Sequence, residues 1–89
     1  MARHLSAEKR NRQNRKRRLR NQSRKTRVKS VVREVRQAVA RGQGEEAQAA
    51  LTRAVPVIAR AAGKGTLHWR AAARKVSRLT RQVNAVKGA

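Results

Sequence analysis

Side chains able to make or break bonds are few in this sequence: four Glu, two His and no Cys in 89 residues. The acids Glu8, Glu34, Glu45 and Glu46 and the imidazoles His4 and His68 are scattered. No two are spaced for an acid/base pair, a nucleophile relay or a metal cluster. Glu45 and Glu46 are explained as acids in the first turn of a helix, where the dipole favours them. Gly63-Lys64-Gly65-Thr66 has a faint likeness to a phosphate loop, but it lacks the first glycine at the required spacing and has no strand before it. The reading is therefore no enzyme, no catalytic residue, no metal and no cofactor. Lys and Arg, by contrast, number 25 and leave a formal net charge of +21. Their chemistry is the holding of anionic oxygen, phosphate above all.

The charge is densest from Glu8 to Lys29, and residues 1–30 hold 13 of the 25 Lys and Arg with Glu8 as their sole acid. At 100° per residue, Arg15, Lys16, Arg17 and Arg18 spread over roughly 300° of a helix surface. Cations thus point to every side. A helix lying flat on a membrane or in one DNA groove would gather them on one face. Between residues 2 and 27 the apolar side chains larger than alanine are Leu5 and Leu19, too few for an apolar stripe. Like charges at i,i+4 cost a few tenths of a kcal/mol each, so this stretch needs a polyanion to lie against. A merely solvated tail would not explain why the charge continues along the whole chain with almost no acids.

The elements that carry these residues follow from hydrophobic spacing. Val28, Val31, Val32, Val35, Ala38 and Val39 fall at helical steps. With no Pro or Gly before Gly42, they predict one helix from about Ser6, its N-cap, to Arg41, roughly 54 Å long, with Glu8 in its first turn. Only the last third has an apolar face, so the rest must project. Arg41-Gly42-Gln43-Gly44 ends it, and a second helix opens at Glu45 and Glu46 with Ala47, Ala50, Leu51, Ala54, Ile58, Ala61 and Ala62 on one side. Pro56 predicts a kink near residues 52–56. After Gly63-Lys64-Gly65, a third helix with Thr66 as N-cap aligns Trp69, Ala72, Val76, Leu79, Val83 and Val86 in a bundle seam. No strand pattern and no internal repeat is evident. The fold class is all-α: a three-helix bundle with an extended N-terminal basic helix. The chain reads as one domain, residues 1–27 a basic arm and 28–89 the body.

A chain of this length buries only about 60% of its unfolded surface, which leaves no room for a large substrate cavity. No apolar run approaches the ~18 residues of a membrane span, and no signal-peptide core follows the basic N-terminus. A soluble, unexported protein with a nucleic-acid partner is expected, without membrane or small-molecule substrate.

Candidate contacts in the arm are Arg3, Lys9, Arg10, Arg12, Arg15, Lys16, Arg17, Arg18, Arg20, Arg24, Lys25 and Arg27. In the body, Arg70, Arg74, Arg78 and Arg81 form one stripe at i, i+4, i+8 and i+11, joined by Lys75 and by Lys64 in the preceding turn. His68 is read first as a capping or packing residue, with a hydrogen bond to phosphate or a 2′-hydroxyl as its functional alternative. Trp69 is read as core because of its place in the seam, with base stacking as the alternative. So few aromatics offer no stacking platform, and recognition must rest on shape and backbone.

Lys64-Gly65-Thr66-Leu67-His68-Trp69-Arg70-Ala71-Ala72-Ala73-Arg74-Lys75-Val76-Ser77-Arg78-Leu79 resembles the K-G-x-[IL]-H-x-N-x-A-A-R-x-K-S-R-L signature of the bacterial small-subunit ribosomal protein S-twenty family. Ser6-Ala7-x-Lys9-Arg10 and Asn21-x-x-x-Lys25-Thr26 resemble its N-terminal pattern, which adds Asn21 to the candidate contacts. The likeness covers essentially the full chain, with departures at Trp69 and Ala71 (usually basic), Arg70 (usually Asn) and Val76 (usually Lys). The resemblance implies a structural constituent of the small ribosomal subunit that binds the 5′ region of 16S ribosomal RNA directly. It implies a basic helix wedged between RNA helices during assembly, in a protein that is cytoplasmic, ribosome-bound and monomeric within the ribosome, where other ribosomal components are possible neighbours. The alternative is a nucleoid-type architectural DNA-binding protein. Such proteins commonly insert apolar wedges or dimerise, and the sequence suggests neither an exposed wedge nor a spare apolar face.

Overall fold

Apolar residues recur at three- and four-residue steps in three stretches, and each stretch is a helix. The structure is a computed structural model that describes residues 2–88, with side chains described from Ser6 onward. Helix α1 spans Ala2–Ala40, α2 Gly44–Gly63 and α3 Trp69–Gly88, and no strand occurs among the described residues. The all-α, three-helix arrangement is the predicted one. Its start is not: α1 begins at Ala2, so Ser6 lies inside the helix and is not its N-cap, and the first turn holds no acid. Residues 2–5 contain neither Gly nor Pro, and once a helix is nucleated each further residue adds a backbone hydrogen bond. No helix among the described residues is long and apolar enough to cross a membrane.

Two glycines with positive φ stop α1 and α2 in the same way. Gly42 has φ 70°, its N–H donates to the Val39 carbonyl at 3.0 Å, and the Gln43 N–H reaches back to Ala38 at 3.2 Å. Gly65 has φ 77°, and the Gly65 and Thr66 N–H groups donate to Ala62 at 3.1 Å and Ala61 at 2.9 Å. Both are Schellman caps, in which a left-handed residue turns the chain back onto the last carbonyls. Thr66 therefore closes α2 and does not open α3, which corrects the predicted N-cap. His68 takes that place: its carbonyl accepts the Ala72 N–H at 3.0 Å and its Nδ1 accepts the Arg70 N–H at 3.2 Å. Helix α2 runs unbroken through Pro56, and both Pro56 and Thr52 are exposed, so the Thr52 carbonyl loses its amide partner on the solvent side.

The core consists of Val28, Val31, Val32, Val35 and Ala38 from α1, Ala47, Ala50, Leu51, Ala54, Ile58 and Ala61 from α2, and Ala72, Leu79 and Val83 from α3. Val39, Val55, Val57, Ala62, Leu67 and Val76 pack against it partly buried. Small side chains dominate, and α1 packs more extensively on α2 than on α3. The α3 C-terminus meets the α2 N-terminus, where Lys87 Nζ donates to Gln48 Oε1 at 3.2 Å and a Cβ on Gly44 would lie 3.3 Å from Lys87 Cγ. Trp69 is not in this core. It is 64% exposed as the first residue of α3, at an end of the bundle where Leu67 from the connection packs against the core.

Candidate nucleic-acid interface

Every side chain from Ser6 to Ser23 is exposed, as are Lys25 to Arg27. Lys9, Arg10, Arg12, Arg15, Lys16, Arg17, Arg18 and Arg20 thus project from an exposed rod. At 1.5 Å per residue, residues 6–23 make roughly 27 Å of free helix, and the molecule is 68 Å long against 22 and 14 Å across. The side chain of Arg3 lies outside the described residues. Asn21 and Arg24 act together, with Arg24 Nη1 donating to Asn21 Oδ1 at 3.4 Å, and Arg24 is half-buried.

Positions seven apart lie within about 20° of one another on a helix. Val31 therefore shares its side of α1 with Arg24, Arg17 and Arg10, and Val32 shares its side with Lys25 and Arg18. The face that buries valines against α2 and α3 becomes a cationic face beyond the body. An anionic surface can lie along it where protein lies further down.

The arm passes into the body through a cleft of about 180 Å³ lined by Arg24, Arg27, Val57, Arg60, Ala61 and Lys64. Four cations surround a small apolar floor there, contributed by α1, by α2 and by the residue just after α2. A second, wider cleft of about 460 Å³ lies between α1 and α3 and brings Lys75 beside Lys29, Arg33 and Arg36. Arg70, Arg74, Arg78 and Arg81 are exposed along α3. Three basic surfaces thus adjoin the core: the arm with its junction, the α1–α3 cleft and the outer side of α3. Elsewhere the charge is mixed, for Glu34 and Glu46 share a cleft with Arg41 and Arg53 near the α1–α2 turn, and Glu45 lies beside Lys87.

A family model described as Ribosomal protein S20 matches residues 2–84, from the arm well into α3. The chain belongs to the ribosomal protein S20 family. It is 52% identical over 87 residues to the small ribosomal subunit protein bS20 of Nitratidesulfovibrio vulgaris (strain DSM 19637 / Miyazaki F), covering 98% of this chain and 100% of that protein. The bS20 of Syntrophus aciditrophicus (strain SB) is 52% identical over 85 residues, 96% of each chain. That of Anaeromyxobacter dehalogenans (strain 2CP-C) is 53% identical over 81 residues, 91% of this chain and 88% of the relative.

In this member of the S20 family, the structure adds residues that the sequence reading passed over. Arg60 joins Arg24, Arg27 and Lys64 in the junction cleft, and Lys29, Arg33 and Arg36 join Lys75. A signal for the second group was present, since Lys25, Lys29, Arg33 and Arg36 repeat the i, i+4, i+8, i+11 stepping of the α3 stripe. For Arg60 the sequence held only its i,i+4 spacing to Lys64, since the other two cations of the cleft, Arg24 and Arg27, come from α1. His68 holds a structural position as the α3 cap. Its ring also lies against Trp69, centroids 5.8 Å apart and planes at 25°, and the Arg70 guanidinium sits 5.1 Å from the Trp69 ring centroid. Among the described residues two large apolar side chains are exposed, Leu19 and Trp69, so the expectation of no exposed wedge is overturned.

Proposed function

We propose that this chain is a structural component of the small ribosomal subunit that binds the subunit's ribosomal RNA directly, in its 5′ region, and fastens neighbouring RNA helices during assembly. The observation that carries this reading is the arm: a helix with cations on all sides, whose face toward the body's partners is itself basic. A rod of this kind neutralises phosphates from more than one RNA segment at once, which a one-sided basic helix cannot do. The junction cleft and the α3 stripe then hold further backbone, so that arm and body bind as one ligand. Family membership supports the ribosomal setting, since the relatives are small ribosomal subunit proteins by name. In this reading the chain sits on the ribosome in the cytoplasm, as a single copy with no small-molecule substrate.

Exposed Leu19 and Trp69 remove the wedge argument against architectural DNA binding, so RNA and DNA must be compared directly. The test is affinity for folded small-subunit ribosomal RNA against duplex DNA of equal phosphate count at physiological salt. Tighter RNA binding is expected, with log K falling by about 0.7 to 0.9 per phosphate contact for each decade of salt. Equal affinities, or a slope equivalent to only one or two contacts, would refute the wedged-arm reading.

A further inference from the structure

Trp69 is the one aromatic residue among Phe, Tyr and Trp in the chain, and the fold leaves it 64% exposed. Single exposed apolar side chains are ordinary on protein surfaces, but this one is held in a built arrangement. The His68 ring is pinned by its Nδ1 accepting the Arg70 N–H at 3.2 Å, and it lies against the indole at 5.8 Å between centroids. The Arg70 guanidinium is 5.1 Å from the indole centroid, within the range of a cation–π contact. The indole is thus steadied at the start of α3 by both sequence neighbours while most of its surface stays open to solvent.

The surroundings decide what can cover it. A protein partner burying an indole wants an apolar rim, whereas Trp69 is bordered by His68 and Arg70, both exposed. An aromatic surface beside cations matches a nucleotide, which offers a π-face and a phosphate together. Bases inside a duplex are already stacked, so the partner must be a base in a loop, bulge or junction. We propose that Trp69 stacks on an unpaired nucleobase of the bound RNA while Arg70 holds the adjoining phosphate. This rests on the ribosomal-RNA reading above and adds to it a contact that a purely backbone-reading helix lacks.

Trp69 is the sole tryptophan, so the intact protein reports on the contact directly. Folded small-subunit ribosomal RNA is titrated into the full chain while indole emission is followed, with inorganic polyphosphate as a polyanion without bases. Stacking predicts strong quenching at saturation by RNA and little by polyphosphate. Trp69→Ala should weaken RNA binding by about 5- to 150-fold, and Trp69→Phe should restore much of the loss. The salt slope should stay the same in both variants, because stacking releases no counterions. Circular dichroism of both variants should match the parent, since the side chain is exposed. Undiminished Trp69→Ala affinity, or emission unchanged at saturation, would overturn the stacking contact while the salt-steep RNA binding of the parent left the ribosomal reading standing. Failure of the parent to bind the RNA would remove both.

Discussion

Helix α1 meets two different environments on what is nearly one face. From Val28 to Val39 that face lies on α2 and α3, and its side chains are valine and alanine. One or two heptads earlier it carries Arg17, Arg18, Arg24 and Lys25; Arg24 still borders α2 at the junction cleft, and Arg17 and Arg18 are exposed. The backbone is continuous across the change, so the difference lies in what offsets the entropy of ordering. In the body, apolar burial does so at about 25 cal/mol per Å². In the arm the side chains from Ser6 to Ser23 are exposed, and repulsion between i,i+4 cations works against the helix. The arm is therefore expected to draw its stability from its partner, and the body from its own core.

The largest effect that separates the two regions is expected on binding. Neutralising Arg15, Arg17 and Arg18 together removes three charge-assisted phosphate contacts, each worth about 1.5–3 kcal/mol. RNA affinity should then fall on the order of 10³-fold or more and the salt slope by about 2 to 3, while the helicity of residues 31–86 is retained. Loss of body helicity in that variant would mean that the arm supports the fold.

Amide hydrogen exchange on the free protein probes the same contrast without a ligand. The arm should open at a cost near zero and the body only by global unfolding, so amides from Arg10 to Arg24 should exchange on the order of 10³-fold faster than those from Val76 to Val83. With RNA bound, the arm amides should become protected. Equal protection in the free protein would make the arm a preformed rod and end the account of folding on binding.

Core truncation sharpens the comparison on the stability side. Ile58 is fully buried, and Ile58→Ala should cost about 2–5 kcal/mol in denaturant unfolding. Leu19 in the arm is 65% exposed, and Leu19→Ala should lie within about 0.5 kcal/mol of the parent. A larger Leu19 effect in the free protein would mean that the arm contributes to the stability of the body.

Most of this is legible along the chain because most of it is local. Helical periodicity found each buried residue of α1 and α2, since a face repeating every 3.6 residues can be read without knowing what covers it. Gly42 was legible as a helix stop because an L side chain resists a φ of 70°. Charge distribution around the arm followed from residue spacing alone. Thr66 misled because it stands before an apolar pattern as an N-cap would, yet its N–H is engaged by the Ala61 carbonyl of the helix behind it. The hydroxyl that was to cap α3 is instead buried without a hydrogen-bond partner.

The amino-acid order by itself determined three helices, the apolar face of each and an arm that no protein surface within the chain can satisfy. These are properties of short windows, governed by backbone sterics and by side chains three or four residues apart. Only the tertiary structure decided that Arg60 of α2 shares a cleft with Arg24 and Arg27 of α1, and that the seam position of Trp69 lies beyond the end of the core. Both depend on how far each helix runs past its neighbours. That is set by the packing of Val35, Ile58, Leu79 and Val83 across the bundle, and a spacing rule within one helix contains no information about where the next one ends.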